Sequence, residues 1–163
     1  VLLNTEPEYD SAGGSAAAQT LAQAEMVITL SPFKANMAFS DVLLPIAPFT
    51  ETSGSFVNAE GRLQSFHAVV KPLGETRPAW KVIRVLANLL GVPGFDFETS
   101  QEVLAKATAT APVLNNTSNA PLRMAGQVAT PVVASIYQLD GVVRRAPSLQ
   151  LTADARTAQE VAA

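Results

Sequence analysis

Apolar positions along this chain follow two patterns: short continuous runs in its first third, then helically spaced stripes. Residues 1–4 (Val-Leu-Leu-Asn) read as a short buried strand. A loop holding Pro7, Asp10, Gly13 and Gly14 follows. The next segment, about 15–25, is rich in alanine, which favours helix and allows close packing on a sheet. Residues 26–30 (Met-Val-Ile-Thr-Leu) form a run bounded by Ser31-Pro32, as suits a strand covered on both faces. Residues 33–39 suit a helical turn, and 41–45 (Asp-Val-Leu-Leu-Pro) read as another buried strand. Three such strands joined by helical or looped crossovers predict a mainly parallel, three-layer Rossmann-like α/β sheet.

The pattern then changes. Ser55–Asn58 and Arg62–Phe66 flank Ala59-Glu60-Gly61, a three-residue connection with glycine placed for the left-handed position of a hairpin. Trp80, Ile83, Leu86, Ala87 and Leu90 recur at helical spacing, with Pro78 before them and Gly91 and Pro93 after, so a helix is predicted over about 78–90. Thr99-Ser100-Gln101-Glu102 is a capping box that opens a second helix. Residues 109–131 mix Ala, Thr, Asn and Pro irregularly and read as loop. Residues 132–137 suit a strand, and 152–163 a weak helix. The organisation expected is an α/β domain over 1–107, a variable linker over 108–131 and a C-terminal extension over 132–163.

Composition narrows the chemistry. With 163 residues, 48% apolar and 15% charged, the chain has the makings of a packed core. A net charge of −3 gives no electrostatic footprint for nucleic acid. No cysteine is present, which excludes disulfides, thiolate zinc sites and iron–sulfur ligation by this chain. No apolar run reaches the ~18–20 residues of a membrane helix. The start has neither a basic n-region nor a long apolar h-region, and no initiator Met; it reads as a boundary inside a larger protein. An apolar face left uncovered there would favour self-association.

Few residues carry obvious chemistry. His67 is the single histidine, so no cluster can form around a second one; a structural role suits it better than a general base. Gly13-Gly14-Ser15 offers backbone N–H groups to a phosphate but lacks the spacing of GxGxxG or a P-loop, so a flexible helix start capped by Ser15 is favoured. The sequons within 115–118 are chance matches, and Trp80 reads as a core anchor. Asp10, Glu51, Glu60 and Asp140 are too scattered for a calcium loop.

The stretch from Asp41 to Gln64 is more specific. It reads Asp-Val-Leu-Leu-Pro and then, over 49–64, Phe-Thr-Glu-Thr-Ser-Gly-Ser-Phe-Val-Asn-Ala-Glu-Gly-Arg-Leu-Gln. This resembles the "DVVLP…E-x-x-G-T-F-x-N-x-E-G-R-x-Q" stretch of the molybdopterin oxidoreductase superfamily. Residues 72–81 (Pro-Leu-Gly-Glu-Thr-Arg-Pro-Ala-Trp-Lys) fit the same pattern, and the resemblance covers about 1–107. Residues 136–150 (Ile-Tyr-Gln-Leu-Asp-Gly-Val-Val-Arg-Arg-Ala-Pro-Ser-Leu-Gln) are similar to the C-terminal signature of one branch, the large subunit of bacterial NADH:quinone oxidoreductase, respiratory complex I. In that branch the iron–sulfur ligands lie upstream, and the molybdopterin-like fold is regarded as a remnant without molybdenum cofactor. The resemblance therefore implies a non-catalytic scaffold with no cofactor in this region. Its partners would be the rest of its subunit and other peripheral-arm subunits, at the cytoplasmic face of the inner membrane and without direct membrane insertion.

Within the motif, Glu60-Gly61-Arg62 is expected at a hairpin tip, with its charges paired or solvated. Glu51 and Asn58 are placed to satisfy backbone groups of the preceding loop. Glu51, Asn58 and Arg62 are the candidates for cofactor binding, and Glu60, Arg144 and Arg145 for interfaces. The arginine pair suits either a clamp on carboxylates across a subunit contact or a solvated surface pair. Two other readings stay open: a cofactor-binding portion of a true molybdopterin enzyme such as a formate dehydrogenase, with 41–62 lining a dinucleotide-type cofactor, and a generic nucleotide-binding α/β module.

Overall fold

The computed structural model describes residues 1–11, 13–110 and 135–156. These fall into two compact units, one built from 1–5 and the stretch beginning at 24, the other from 6–23 and the C-terminal residues.

The first unit holds a parallel sheet of β1 (Leu2–Leu3), β2 (Ile28–Ser31) and β3 (Val42–Pro45), in that order. Leu2 faces Thr29 and Leu3 faces Leu30, while Ile28 to Ser31 pair in register with Val42 to Pro45. The α/β class and parallel sheet predicted from the apolar runs are present. Only the central strand is buried, however. Thr29 and Leu30 are fully enclosed, whereas Leu3 and Val42 are exposed among the described residues. The enclosed Thr29 hydroxyl lies 2.7 Å from that of Ser40, which offsets the burial of a polar group. Strand β2 also starts later than the run at 26 suggests. The Val27 N–H donates to the Asp41 carboxylate at 2.7 Å, while the Val27 carbonyl accepts from the N–H groups of Asp41 and Val42. The helical turn expected at 33–39 is a short 3₁₀ turn, Ala35–Ala38.

Beyond β3 lie a 3₁₀ turn (Phe49–Glu51) and the antiparallel hairpin of β4 (Gly54–Val57) and β5 (Leu63–Phe66). Gly61 takes φ +78°, and the Asn58 N–H donates to the Arg62 carbonyl across the tip. Phe56 and Phe66 stack at 5.1 Å across the strands. Helix α3 (Ala79–Leu89) is placed against the sheet edge by its leading segment: the Ala47 N–H donates to the Arg77 carbonyl at 2.9 Å. Gly91 closes it at φ +68°. The N–H groups of Gly91 and Val92 donate to the carbonyls of Asn88 and Ala87, the bonding of a Schellman stop. Leu90, grouped with the buried stripe by spacing, falls at the C-cap and is exposed. Helix α4 (Ser100–Thr110) opens on the expected cap, its Glu102 N–H donating to Thr99 Oγ1 at 3.2 Å. The Glu102 carboxylate reaches back to the Glu98 N–H at 2.8 Å as well as toward Thr99.

The second unit contains α1 (Pro7–Asp10), α2 (Ser15–Leu21), α5 (Ile136–Leu139) and α6 (Pro147–Gln150), with a helical turn at 153–156. Two expectations change here. The cap of α2 is Gly14 (φ +52°, ψ −137°), and Ser15 is already helical; the left-handed backbone is open to glycine. Residues 136–137 are helical, not strand, because Ser135 Oγ accepts the Tyr137 N–H and caps a helical turn. The rest of the predicted strand (132–134), the linker from 111 onward, the sequons and residues 157–163 lie outside the described residues.

Candidate functional site

The motif that carries the family resemblance is built around two side chains that bond the chain's own backbone. Asn58 Oδ1 accepts the N–H groups of Glu60 at 3.0 Å and Arg62 at 2.8 Å, so it holds the turn that follows it, not the loop before. Glu51 accepts the Leu73 N–H at 2.9 Å and ties the 3₁₀ turn to a loop twenty-two residues on. Glu60 and Arg62 face each other at 3.6 Å with side chains 73% and 72% exposed, a pair screened by water and weak. The structure therefore places Asn58 and Arg62 at one hairpin tip and Glu51 at a separate turn.

Two clefts among the described residues of the first unit lie near this hairpin. One, an apolar cleft of about 490 Å³, lies at the C-terminal ends of β1 and β3, where open α/β sheets usually bind ligands. Asn4, the one described non-glycine residue with positive φ (+51°), stands on its wall. Ile46, Phe49, Phe56, Phe66 and Trp80 supply much of its apolar surface, and His67 joins them. Among the described residues its lining includes no Lys, Arg, Asp or Glu. Trp80 is half-buried between this cleft and its neighbour, so it is a wall residue more than a core anchor.

The second cleft, about 500 Å³, has the opposite chemistry. Lys71, Arg77 and Lys81 line it together with Trp80 and Glu51. The Lys81 ammonium sits 5.3 Å from the centre of the Trp80 ring. These cations did not stand out in the sequence, although three of them fall within the short stretch 71–81. Nearby, Arg84 donates to the Phe97 carbonyl at 2.6 Å and lies 3.4 Å from Glu98, while its buried Nε has no hydrogen-bond partner among the described residues.

In the second unit, Arg144 and Arg145 both grip Glu6. Arg144 Nη2 lies 2.8 Å from Glu6 Oε2, and Arg145 Nη2 lies 2.7 Å from Oε1. Arg144 also donates to the Gln138 carbonyl and stacks over Tyr9 at 4.0 Å. The carboxylate that this pair clamps is thus the chain's own. Asp140 holds the preceding turn, accepting the N–H groups of Val142 and Val143 at 2.8 and 2.9 Å. Those two bonds, and then the Arg144 charge, keep its carboxyl below the ordinary carboxylate range. Glu102 is lowered likewise, first by the Glu98 N–H. Among the described residues no three His, Asp or Glu side chains gather as a metal site. No described helix is long and apolar enough to cross a membrane.

The family implies a pterin dinucleotide whose pyrophosphate and pterin edges need charged or multiple polar partners. The described lining of the apolar cleft offers such a group uncharged polar side chains, among them Asn4, Ser55, Ser65, His67 and Gln101, and no charged one. Comparison with known proteins identifies the fold's lineage all the same. Over 75 residues the chain is 39% identical to "Probable oxidoreductase YjgC" of Bacillus subtilis (strain 168), covering 46% of this chain and 8% of that protein. A Staphylococcus aureus (strain bovine RF122 / ET3-1) protein provisionally named a formate dehydrogenase is 47% identical over 53 residues, 32% of this chain and 5% of its own length. A similarly named protein of strain USA300 is 32% identical over 75 residues, 46% of this chain and 8% of its own. The chain thus spans less than a tenth of these relatives. Residues 1–89, just over half of the chain, match the family described as Molybdopterin oxidoreductase, and the chain belongs to that family.

Proposed function

We propose that the chain is a non-catalytic scaffold region of the large subunit of a bacterial NADH:quinone oxidoreductase, within the peripheral arm at the cytoplasmic face of the inner membrane. The observation that carries this reading is the apolar cleft. It occupies the place where the fold would seat a nucleotide-type ligand, yet the described residues that line it include no charged side chain. The motif residues Glu51 and Asn58 support the same reading, because their acceptors engage backbone N–H groups. The segment 136–150 favours this branch of the family. Iron–sulfur clusters would then belong to the upstream part of the subunit.

A second reading rests on the relatives. Those named as formate dehydrogenases are 47% and 32% identical over 53 and 75 residues, which favours the cofactor-binding portion of a true molybdopterin enzyme. Purifying the full-length protein from its source and assaying molybdenum, tungsten and released pterin separates the two. The scaffold reading expects iron without stoichiometric pterin, in a preparation that oxidises NADH with quinone. Stoichiometric pterin with formate oxidation would overturn it.

A further inference from the structure

Residues 67–78 run between the hairpin and α3 with their backbone anchored and their apolar side chains turned to solvent. The N–H groups of Val69 and Val70 donate to the Thr50 carbonyl at 2.9 and 3.3 Å, and that of Leu73 donates to Glu51. Thr76 donates to the Leu73 carbonyl through both its N–H and its hydroxyl. Yet Val69, Val70 and Leu73 are 82%, 55% and 78% exposed. A loop that fixes its polar groups inward and displays branched apolar side chains outward has the make-up of a contact surface. Ala68, Lys71 and Pro72, interleaved with these residues, line the second cleft, where Arg77, Lys81 and Trp80 join them. Three cations face two carboxylates, Glu51 on the lining and Glu75 at 3.6 Å from Arg77, which leaves the site net positive in a chain whose net charge is −3.

We propose that this surface docks an acidic segment of a separate polypeptide. Its apolar side chains cover Val69, Val70 and Leu73, and its carboxylates enter the cleft of Lys71, Arg77 and Lys81. Charge complementarity selects the occupant. A neutral or basic segment would strip water from three cations without replacing it, whereas Asp and Glu pair with them. Arg and Trp are also the residue types that anchor interfaces. Two copies of this chain meeting symmetrically here would set cleft on cleft, positive against positive. A free inorganic anion would satisfy the cations but leave the apolar rim in water. The inference does not depend on which branch of the family the parent belongs to.

The test places a photoreactive p-benzoylphenylalanine at position 73 of the full-length protein and maps its cross-links in cells by mass spectrometry. A cross-link to a segment of another polypeptide rich in Asp and Glu is expected. Its yield should fall about tenfold with Lys71→Glu plus Lys81→Glu and be kept by Lys71→Arg. Cross-links confined to the protein's own polypeptide, to a second copy or to a segment without acidic excess would overturn the proposal, as would a yield indifferent to charge reversal. In vitro, fluorescence of Trp80, the chain's single tryptophan, should change saturably with a peptide alternating Glu and Leu. An equal response to its Gln-for-Glu counterpart or to inorganic phosphate would also overturn it.

Discussion

Glu6 and Arg144 stand 138 positions apart in the chain and 2.8 Å apart in the fold, with side chains 9% and 13% exposed. The contact binds the C-terminal residues to the segment that leaves β1, and Arg145 completes it on the other carboxylate oxygen. Removing the carboxylate would leave Arg144 buried without its counter-charge. Glu6→Gln should therefore lower stability by about 2–3 kcal/mol, below the full figure for buried pairs because Arg145 keeps contact with water. Urea denaturation checks this. A midpoint equal to that of the native chain would mean that the ion pair contributes nothing net.

Gly61 should resist substitution by any β-branched residue. Its φ of +78° belongs to a region that valine avoids, so Gly61→Val should cost about 1–3 kcal/mol. Asparagine tolerates that backbone better, and Gly61→Asn should lose distinctly less. Equal losses for the two variants in thermal unfolding would show that the cost arises from something other than backbone conformation.

These two cases mark what the sequence could and could not disclose. Gly61, the run at 26–30 and the spacing of Trp80, Ile83 and Ala87 are local signals, and local physics governs the elements that they predict. The Glu6 contact is not local: nothing near residue 6 announces two arginines that arrive from 144 and 145. Ile136-Tyr137 misleads for a related reason, since β-prone side chains there yield to a cap from Ser135. The flanking strands β1 and β3 read as buried from their leucines, because an apolar run reports the tendency to be covered and not what covers it. The charged cleft was hidden by the spacing of Lys71, Arg77 and Lys81, which fits no periodic motif and converges only when the loop turns back on Thr50 and Glu51.

Acid should loosen two helix-end contacts before the rest of the fold. Asp140 and Glu102 both titrate below their ordinary values, so in the folded state they bind protons less readily than in the unfolded chain. Their contribution is therefore fully present above the ordinary carboxylate pKa, about 4, and lost as pH falls through the lowered values. Following the amide resonances of Val142, Val143 and Glu98 from pH 6 to pH 2 checks this. Asp140→Asn should flatten the acid response at Val142 and Val143 and leave Glu98 unchanged. A response at Val142 that persists in the variant would assign it to another group.

The hairpin motif should divide cleanly into a residue that holds structure and a residue that does not. Asn58 gathers two backbone N–H groups at one oxygen, and with alanine there those donors turn to water at an exposed tip. Asn58→Ala should therefore lower stability by about 1–2 kcal/mol, near the net value of one or two hydrogen bonds. Among the described residues the Arg62 side chain meets only Glu60, at 3.6 Å and in open solvent, so Arg62→Ala should change stability by no more than about 0.5 kcal/mol. Because Arg62 has so little structural duty, its removal also tests binding without confusing it with unfolding. Calorimetric titration of the native chain with guanine nucleotides should give no saturable heat that depends on Arg62, since Arg62 lines neither cleft and the described lining of the apolar one includes no cation. Micromolar binding that disappears in the Arg62→Ala protein, with its stability intact, would promote the molybdopterin-enzyme reading over the scaffold.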